Sequence, residues 1–131
     1  MNSFRLPADE LEYAVLAKLW ELRTGSVRDL HEAWGKPAGL VYTTTAKVIE
    51  RLRGKGLIER ERQGRYFIYR AAIAASEVER ARAVAAVSRL LGPRPHAAVA
   101  ALVDAVDSAD PQLLDELQRA VDAHRKSKHG A

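Results

Sequence analysis

The amino-acid sequence predicts a mainly α-helical chain carrying one small β-hairpin. Two observations predict it. Apolar residues recur at spacings of three and four in successive stretches along the 131 residues, which is the period of a helix with one buried face. At Gly56 that period breaks, and the only runs rich in Ile, Tyr and Phe follow, joined at a Gly-bearing turn.

The stretch from Leu40 to Arg70, LVYTTTAKVIERLRGKGLIERERQGRYFIYR, carries the most information. Val41, Thr45, Val48 and Leu52 share one face of a helix expected from about Val41 to Lys55. Gly56 stands where a left-handed residue would end that helix. Leu57 to Arg62 and Arg65 to Arg70 read as two strands joined at Gln63-Gly64. The stretch holds eight bases and three acids, a local surplus of five against a net charge of +4 for the whole chain. Lys and Arg that neutralise phosphates supply most sequence-independent affinity for DNA, so the local surplus outweighs the total as evidence. A helix followed directly by a basic hairpin is the outline of a winged helix-turn-helix.

Ahead of it, Glu10 to Glu21 predicts a first helix, with Leu11, Val15, Leu16, Leu19 and Trp20 on its apolar side. Arg23-Thr24-Gly25 is a break. Ser26 is an N-cap with Asp29 at capping-box spacing, and Val27, Leu30 and Trp34 stripe the second helix. Gly35 to Gly39, with Pro37, is a loop. Three helices closed by the hairpin make a DNA-binding domain over residues 1–73.

Residues 74–131 form the expected helical dimerisation region. From residue 77 onward bases and acids number eight each. Ala71 to Leu91 is helical by propensity, Gly92-Pro93-Arg94-Pro95 breaks it, and a further helix carries Val99, Leu102, Val103 and Val106. Asp110-Pro111 starts the last helix as N-cap and first-turn proline. Leu113, Leu114, Leu117 and Val121 line that helix, which is expected to fray into HRKSKHGA. These three helices are too short to enclose a core alone, so an isologous two-fold dimer is the expected solution. Leu90, Leu102, Val106, Leu113, Leu114, Leu117 and Val121 are its expected interface.

Opposite the buried stripe of the third helix stand Thr43, Ala46, Lys47 and Glu50, flanked by Tyr42 and Arg51. Residues near the start of a recognition helix reach base edges. Tyr42, Thr43 and Lys47 are the expected readers, with the Ala46 methyl available to a thymine methyl. Thr44 and Arg51 are expected on phosphates. Arg62 and Arg65 flank the hairpin turn and reach the backbone, while Tyr66 reads more readily as packing. Glu50 pairs with Lys47 or Arg53, one turn to either side, or reads a cytosine amino group.

The composition bounds the function. With no cysteine there is no disulfide, thiolate metal site or Cys nucleophile. His31, His96, His124 and His129 are scattered, with no carboxylate placed for a triad and no HExxH, so neither enzyme nor metal site is expected. Nor is a cofactor, since no Gly-rich phosphate loop exists. No apolar run approaches membrane length and no secretory signal opens the chain, which leads to a cytoplasmic expectation. The competing assignment is a winged helix used for protein interaction, but such modules expose apolar groups on the third helix, where this chain has Thr, Lys and Arg.

Four blocks together, LEYAVLAKLW, SVRDLHEAW, YTTTAKVIERLRGKGLI and GRYFIYR, resemble the penicillinase-repressor (BlaI/MecI) family of bacterial winged-helix repressors over nearly the whole chain. The resemblance implies a homodimer with interlocked C-terminal helices on a palindromic operator of double-stranded DNA. The chain departs from the family pattern in places. Thr45 stands where the family has an apolar residue, and its hydroxyl is expected to bond back to a helix carbonyl. Lys47 stands where Thr is frequent, which implies a different operator. Antibiotic-responsive members are cleaved at an Asn-Phe bond whose matching place is near Leu102-Val103; this chain has no Asn-Phe. It also lacks the cysteine-rich tail of copper-responsive relatives.

Overall fold

The computed structural model describes residues 4–129. Helices α1 (Glu10–Leu22), α2 (Val27–Leu30) and α3 (Tyr42–Gly54) precede the hairpin strands β2 (Ile58–Gln63) and β3 (Tyr66–Ala71), with a short strand β1 (Thr24–Gly25) before α2. Helices α4 (Ala75–Leu91), α5 (Pro95–Ala109) and α6 (Pro111–His129) follow. The chain divides into two compact units, Met1–Ala83 and Val84–Ala131, and α4 runs through the division.

In the first unit the core is Val15, Leu16 and Leu19 of α1, Leu30 of α2, Val48, Ile49 and Leu52 of α3, Leu57, Ile58 and Tyr69 of the hairpin, and Val78 of α4. The capping box at Ser26 forms as expected: Asp29 N–H donates to the Ser26 hydroxyl at 3.1 Å and Ser26 N–H to Asp29 at 2.9 Å. The end of α3 is a Schellman cap. Gly56 has φ 77°, Leu57 N–H donates to Leu52 C=O at 3.1 Å and Gly56 N–H to Arg53 C=O at 3.1 Å, which satisfies two otherwise unpaired carbonyls.

Several expectations are corrected. Val41 does not join the buried stripe: it is the N-cap of α3 and 65% exposed, while Ile49 takes a core place. The break at 23–25 contains β1, which pairs with β3 in a sheet of order β1-β3-β2. Two residues cannot show a period, so no pattern announced it. The second helix does not run regularly to Trp34. After Leu30 it widens into a π-turn over His31–Gly35, closed by Lys36 N–H on His31 C=O at 2.7 Å. The hairpin register lies one residue later than expected: Gln63 faces Tyr66 across a Gly64-Arg65 loop. Gly64 takes φ 64° as the first loop residue, the type II′ pattern.

In the second unit α5 packs on α6. Gln112 N–H donates to Asp110 at 3.0 Å, the expected cap ahead of Pro111. The expected fraying at 124–131 does not occur within the described residues, because α6 continues to His129; Gly130 and Ala131 lie outside them. Lys126, Lys128 and His129 sit in the last turn of α6, where cations complement the negative end of the helix dipole. The three helices are 17, 15 and 19 residues long, the first starting at Ala75 and not at Ala71, which ends β3, and no side chain of α5 or α6 is buried.

The orientation of α3 depends on Glu12, which is 2% exposed on α1. Its carboxylate accepts from Arg51 Nε at 3.1 Å, from Lys55 Nζ, and from the Ala8 N–H at 3.1 Å. Burial pushes the Glu12 carboxyl up, but the bonds from Lys55, Ala8 and Arg51 outweigh it and hold it below the usual carboxylate value. A carboxyl whose pKa is depressed by folding stabilises the fold fully above its unfolded pKa, and that contribution is lost as pH falls through the folded value. Glu12→Gln is expected to cost about 3 kcal/mol near neutral pH, the low end for breaking a buried pair, since half-exposed Arg51 can rehydrate. The gap between the two proteins should close as the pH falls through and below the usual carboxylate range; denaturant titrations across that range check it. Arg23, the α1 C-cap, has φ 76° and ψ −53°, a region where any side chain is strained. Arg23→Gly is therefore expected to raise the unfolding free energy by about 1 kcal/mol, strain relief exceeding the entropic cost of glycine.

Candidate nucleic-acid interface

Helix α3 presents two unlike sides. Thr45, Val48, Ile49 and Leu52 are buried, and Tyr42, Thr43, Lys47 and Glu50 are exposed. Thr44 and Ala46 are half-buried at the margins. The first turn of α3 holds no acid, so its positive dipole end and unpaired N–H groups stay compatible with an anion.

The eight cations between Leu40 and Arg70 divide in two. Arg51 and Lys55 are spent on Glu12. Glu50 takes Arg53 at 2.5 Å and Arg60 at 3.7 Å; of its two expected neighbours Arg53 is chosen and Lys47 is not. Glu50 thereby ties α3 to β2, and the hydrogen bond from Arg53 holds its carboxyl below the usual carboxylate value. Arg70 lies across the hairpin from Glu59, at 2.8 Å, and also meets Glu61 at 3.4 Å. Among the described residues no ion pair involves Lys47, Arg62 or Arg65. The uncompensated charge thus concentrates on the outer side of α3 and the tip of the hairpin.

Between them lies a cleft of about 630 Å³, lined among others by Ser26, Arg28, Tyr42, Gln63, Tyr66 and Phe67. Tyr66 is 62% exposed and lines this cleft; it is Phe67 that packs, beneath Arg60 at 3.9 Å. Arg28, on α2, is exposed and also free of any ion pair among the described residues. Neither it nor Gln63 stood out in the sequence. The available signal was that Arg28 follows the Ser26 cap by two residues, on the side of α2 opposite Leu30.

The hydroxyl of Thr45 does not bond back to the helix. It shares a hydrogen bond of 2.8 Å with His31 Nδ1 on the π-turn. The His31 ring in turn meets Tyr42 edge-on, with centroids 5.5 Å apart and planes at 74°.

In the second unit Leu90, Leu113 and Val121 are exposed, while Leu102, Val106, Leu114 and Leu117 are half-buried. Among the described residues no group of His, Cys, Asp or Glu comes together as metal ligands, and no helix is long and apolar enough to cross a membrane.

Comparison with known proteins places these features. Among solved structures, the chain is similar to a possible transcriptional regulatory protein (fragment 1–100) from Mycobacterium bovis, at 26% identity over 63% of this chain and 81% of that one, with a TM-score of 0.46. It is similar to the PcaV transcriptional regulator from Streptomyces coelicolor, solved with its natural ligand, at 22% identity over 92% and 79% of the two chains and a TM-score of 0.48. It is also similar to a MarR mutant from E. coli complexed with operator DNA, at 17% identity over 86% and 74%, with a TM-score of 0.46. No curated protein is similar enough to count as a relative. The family model described as penicillinase repressor matches residues 9–123. The chain belongs to the penicillinase repressor family, whose members are winged-helix DNA-binding regulators of transcription.

Proposed function

We propose that the protein is a cytoplasmic transcriptional repressor that binds a palindromic operator as a homodimer, with α3 in the major groove and the β2–β3 hairpin against the adjacent backbone. The observation that carries this proposal is the placement of the uncompensated cations. Among the described residues Lys47, on the same helix as Tyr42 and Thr43, and Arg62 and Arg65 at the hairpin tip have no acid partners, whereas Arg53, Arg60 and Arg70 are neutralised locally.

Tyr42, Thr43 and Lys47 read base edges, and the Ala46 methyl meets a thymine methyl. Thr44, Arg62 and Arg65 hold phosphates, joined by Arg28 across the cleft. Arg51 orients α3 through Glu12 and offers the rest of its half-exposed guanidinium to the backbone. One winged helix touches too few bases to select a genomic site, so two copies at a fixed separation are needed. The second unit supplies that separation through Leu90, Leu102, Val106, Leu113, Leu114, Leu117 and Val121. A single chain leaves these groups wholly or half exposed, and exposed apolar groups in a unit where α5 and α6 bury no side chain of their own favour a partner surface.

If each subunit makes about four phosphate contacts, log affinity against log salt should fall with a slope near −7. A slope shallower than about −2 sinks the proposal. Lys47→Ala should reduce discrimination between operator and random DNA by about 1–3 kcal/mol, whereas Arg65→Ala should weaken both about equally. Leu117→Asp buries an unpaired charge in the dimer, which costs several kcal/mol. It should give a monomer with a folded first unit and no operator preference. Light scattering and gel shifts on one sample test this, and a dimeric Leu117→Asp protein would overturn the assigned interface.

A further inference from the structure

Thr45 is fully buried on α3, where a hydroxyl without a partner would be costly. Its partner is His31 Nδ1 at 2.8 Å, on a different segment. That contact depends on local backbone shape. The π-turn over His31–Gly35 carries no side chain at Gly35, which is buried. A Cβ there would collide with both Thr45 Oγ1 and His31 Nδ1. The absent side chain therefore makes the space in which imidazole and hydroxyl meet.

The other consequence of this placement lies on the outside. His31 is half-buried, and its ring meets Tyr42 edge-on at 5.5 Å. Edge-to-face pairs at this distance are attractive and directional. Tyr42 is the first residue of α3, is 48% exposed, and faces the cleft beside the hairpin tip. An exposed aromatic there would ordinarily sample several rotamers. Here one face of its freedom is closed by a ring that is itself pinned from below.

We infer that His31 is a positioning residue for operator recognition: Gly35 admits it, Thr45 pins it, and its ring fixes the Tyr42 side chain in the orientation that reads DNA. This rests on α3 being the reading helix. The energy needed to order Tyr42 is then spent during folding, so binding to the matched sequence does not bear it. Random duplex, which engages phosphates only, gains nothing from the arrangement.

The test uses the full-length protein, the duplex it enriches from a randomised library, and a scrambled duplex of equal composition. His31→Asn keeps a hydrogen-bonding group near Thr45 and removes the ring. It should lower affinity for the enriched duplex about three- to tenfold, the scale of one aromatic pair, and leave the scrambled duplex unchanged. In a Tyr42→Ala background the same substitution should have no further effect, because the two residues act as a unit. Thr45→Ser should behave as wild type and Thr45→Val like His31→Asn. Equal losses on both duplexes, or full additivity with Tyr42→Ala, would overturn the inference. Failure of the wild-type chain to enrich any duplex would instead remove the DNA-reading role of α3, and the inference with it.

Discussion

The fold of the first unit hangs on a charge taken out of water. Glu12 on α1 is enclosed, and an enclosed carboxylate is tolerable only when its lone pairs are filled. Arg51 in the last turn of α3 and Lys55, its C-cap, fill two of them, and a backbone N–H fills another. Apolar contacts between α1 and α3 would allow the helices to slide or rotate by small amounts at little cost. A carboxylate bonded from both sides does not. Arg5 adds to the same anchor, its N–H donating to Lys55 C=O at 2.8 Å. The helix that faces outward with Tyr42 and Lys47 is therefore fixed at its far end by an ionic joint, and at its near end by the Thr45–His31 bond.

Much of this was legible in the sequence, and the parts that were not share a cause. The capping box at Ser26, the glycine that ends α3, the hairpin and the Asp110-Pro111 start of α6 all follow from signals a few residues wide. Val41 misled because a position in register with the apolar stripe still lies outside it when the helix starts one residue later. Glu12 did not stand out in the sequence, because its partners lie 39 and 43 residues away. Thr45 was visibly a polar group on a buried face, but its partner was not, since His31 reaches it only through a π-turn that local propensity does not announce. On the interface, the charge surplus was legible in total. Which cations are neutralised is a tertiary fact, and it separates Lys47, Arg62 and Arg65 from their paired neighbours.

The pairing pattern also shows how a strongly basic chain keeps its cations from repelling one another. Tyr13 donates to Glu79 on α4, which raises the tyrosine pKa, and Arg82 lies 3.7 Å over the Tyr13 ring while meeting Glu10 at 3.5 Å. Trp20 donates to Ile73 C=O at 3.0 Å. The start of α4 is thus bound to α1 by side-chain contacts around the buried Val78. The first part of α4 belongs mechanically to the first unit even though the helix continues beyond it.

Strand β2 has consequences beyond recognition. It is bonded on one side only, to β3, and all its residues but Ile58 are exposed. An open strand edge is a template for the backbone of another molecule, the first step of aggregation. Glu59, Arg60, Glu61 and Arg62 run consecutively along it, so charge projects from both faces of the ribbon. Any strand added there would strip water from ionic groups above and below the new ladder. That desolvation cost makes the edge unreceptive to the backbone of a second copy, so the alternating charges of β2 guard the hairpin against edge-to-edge pairing.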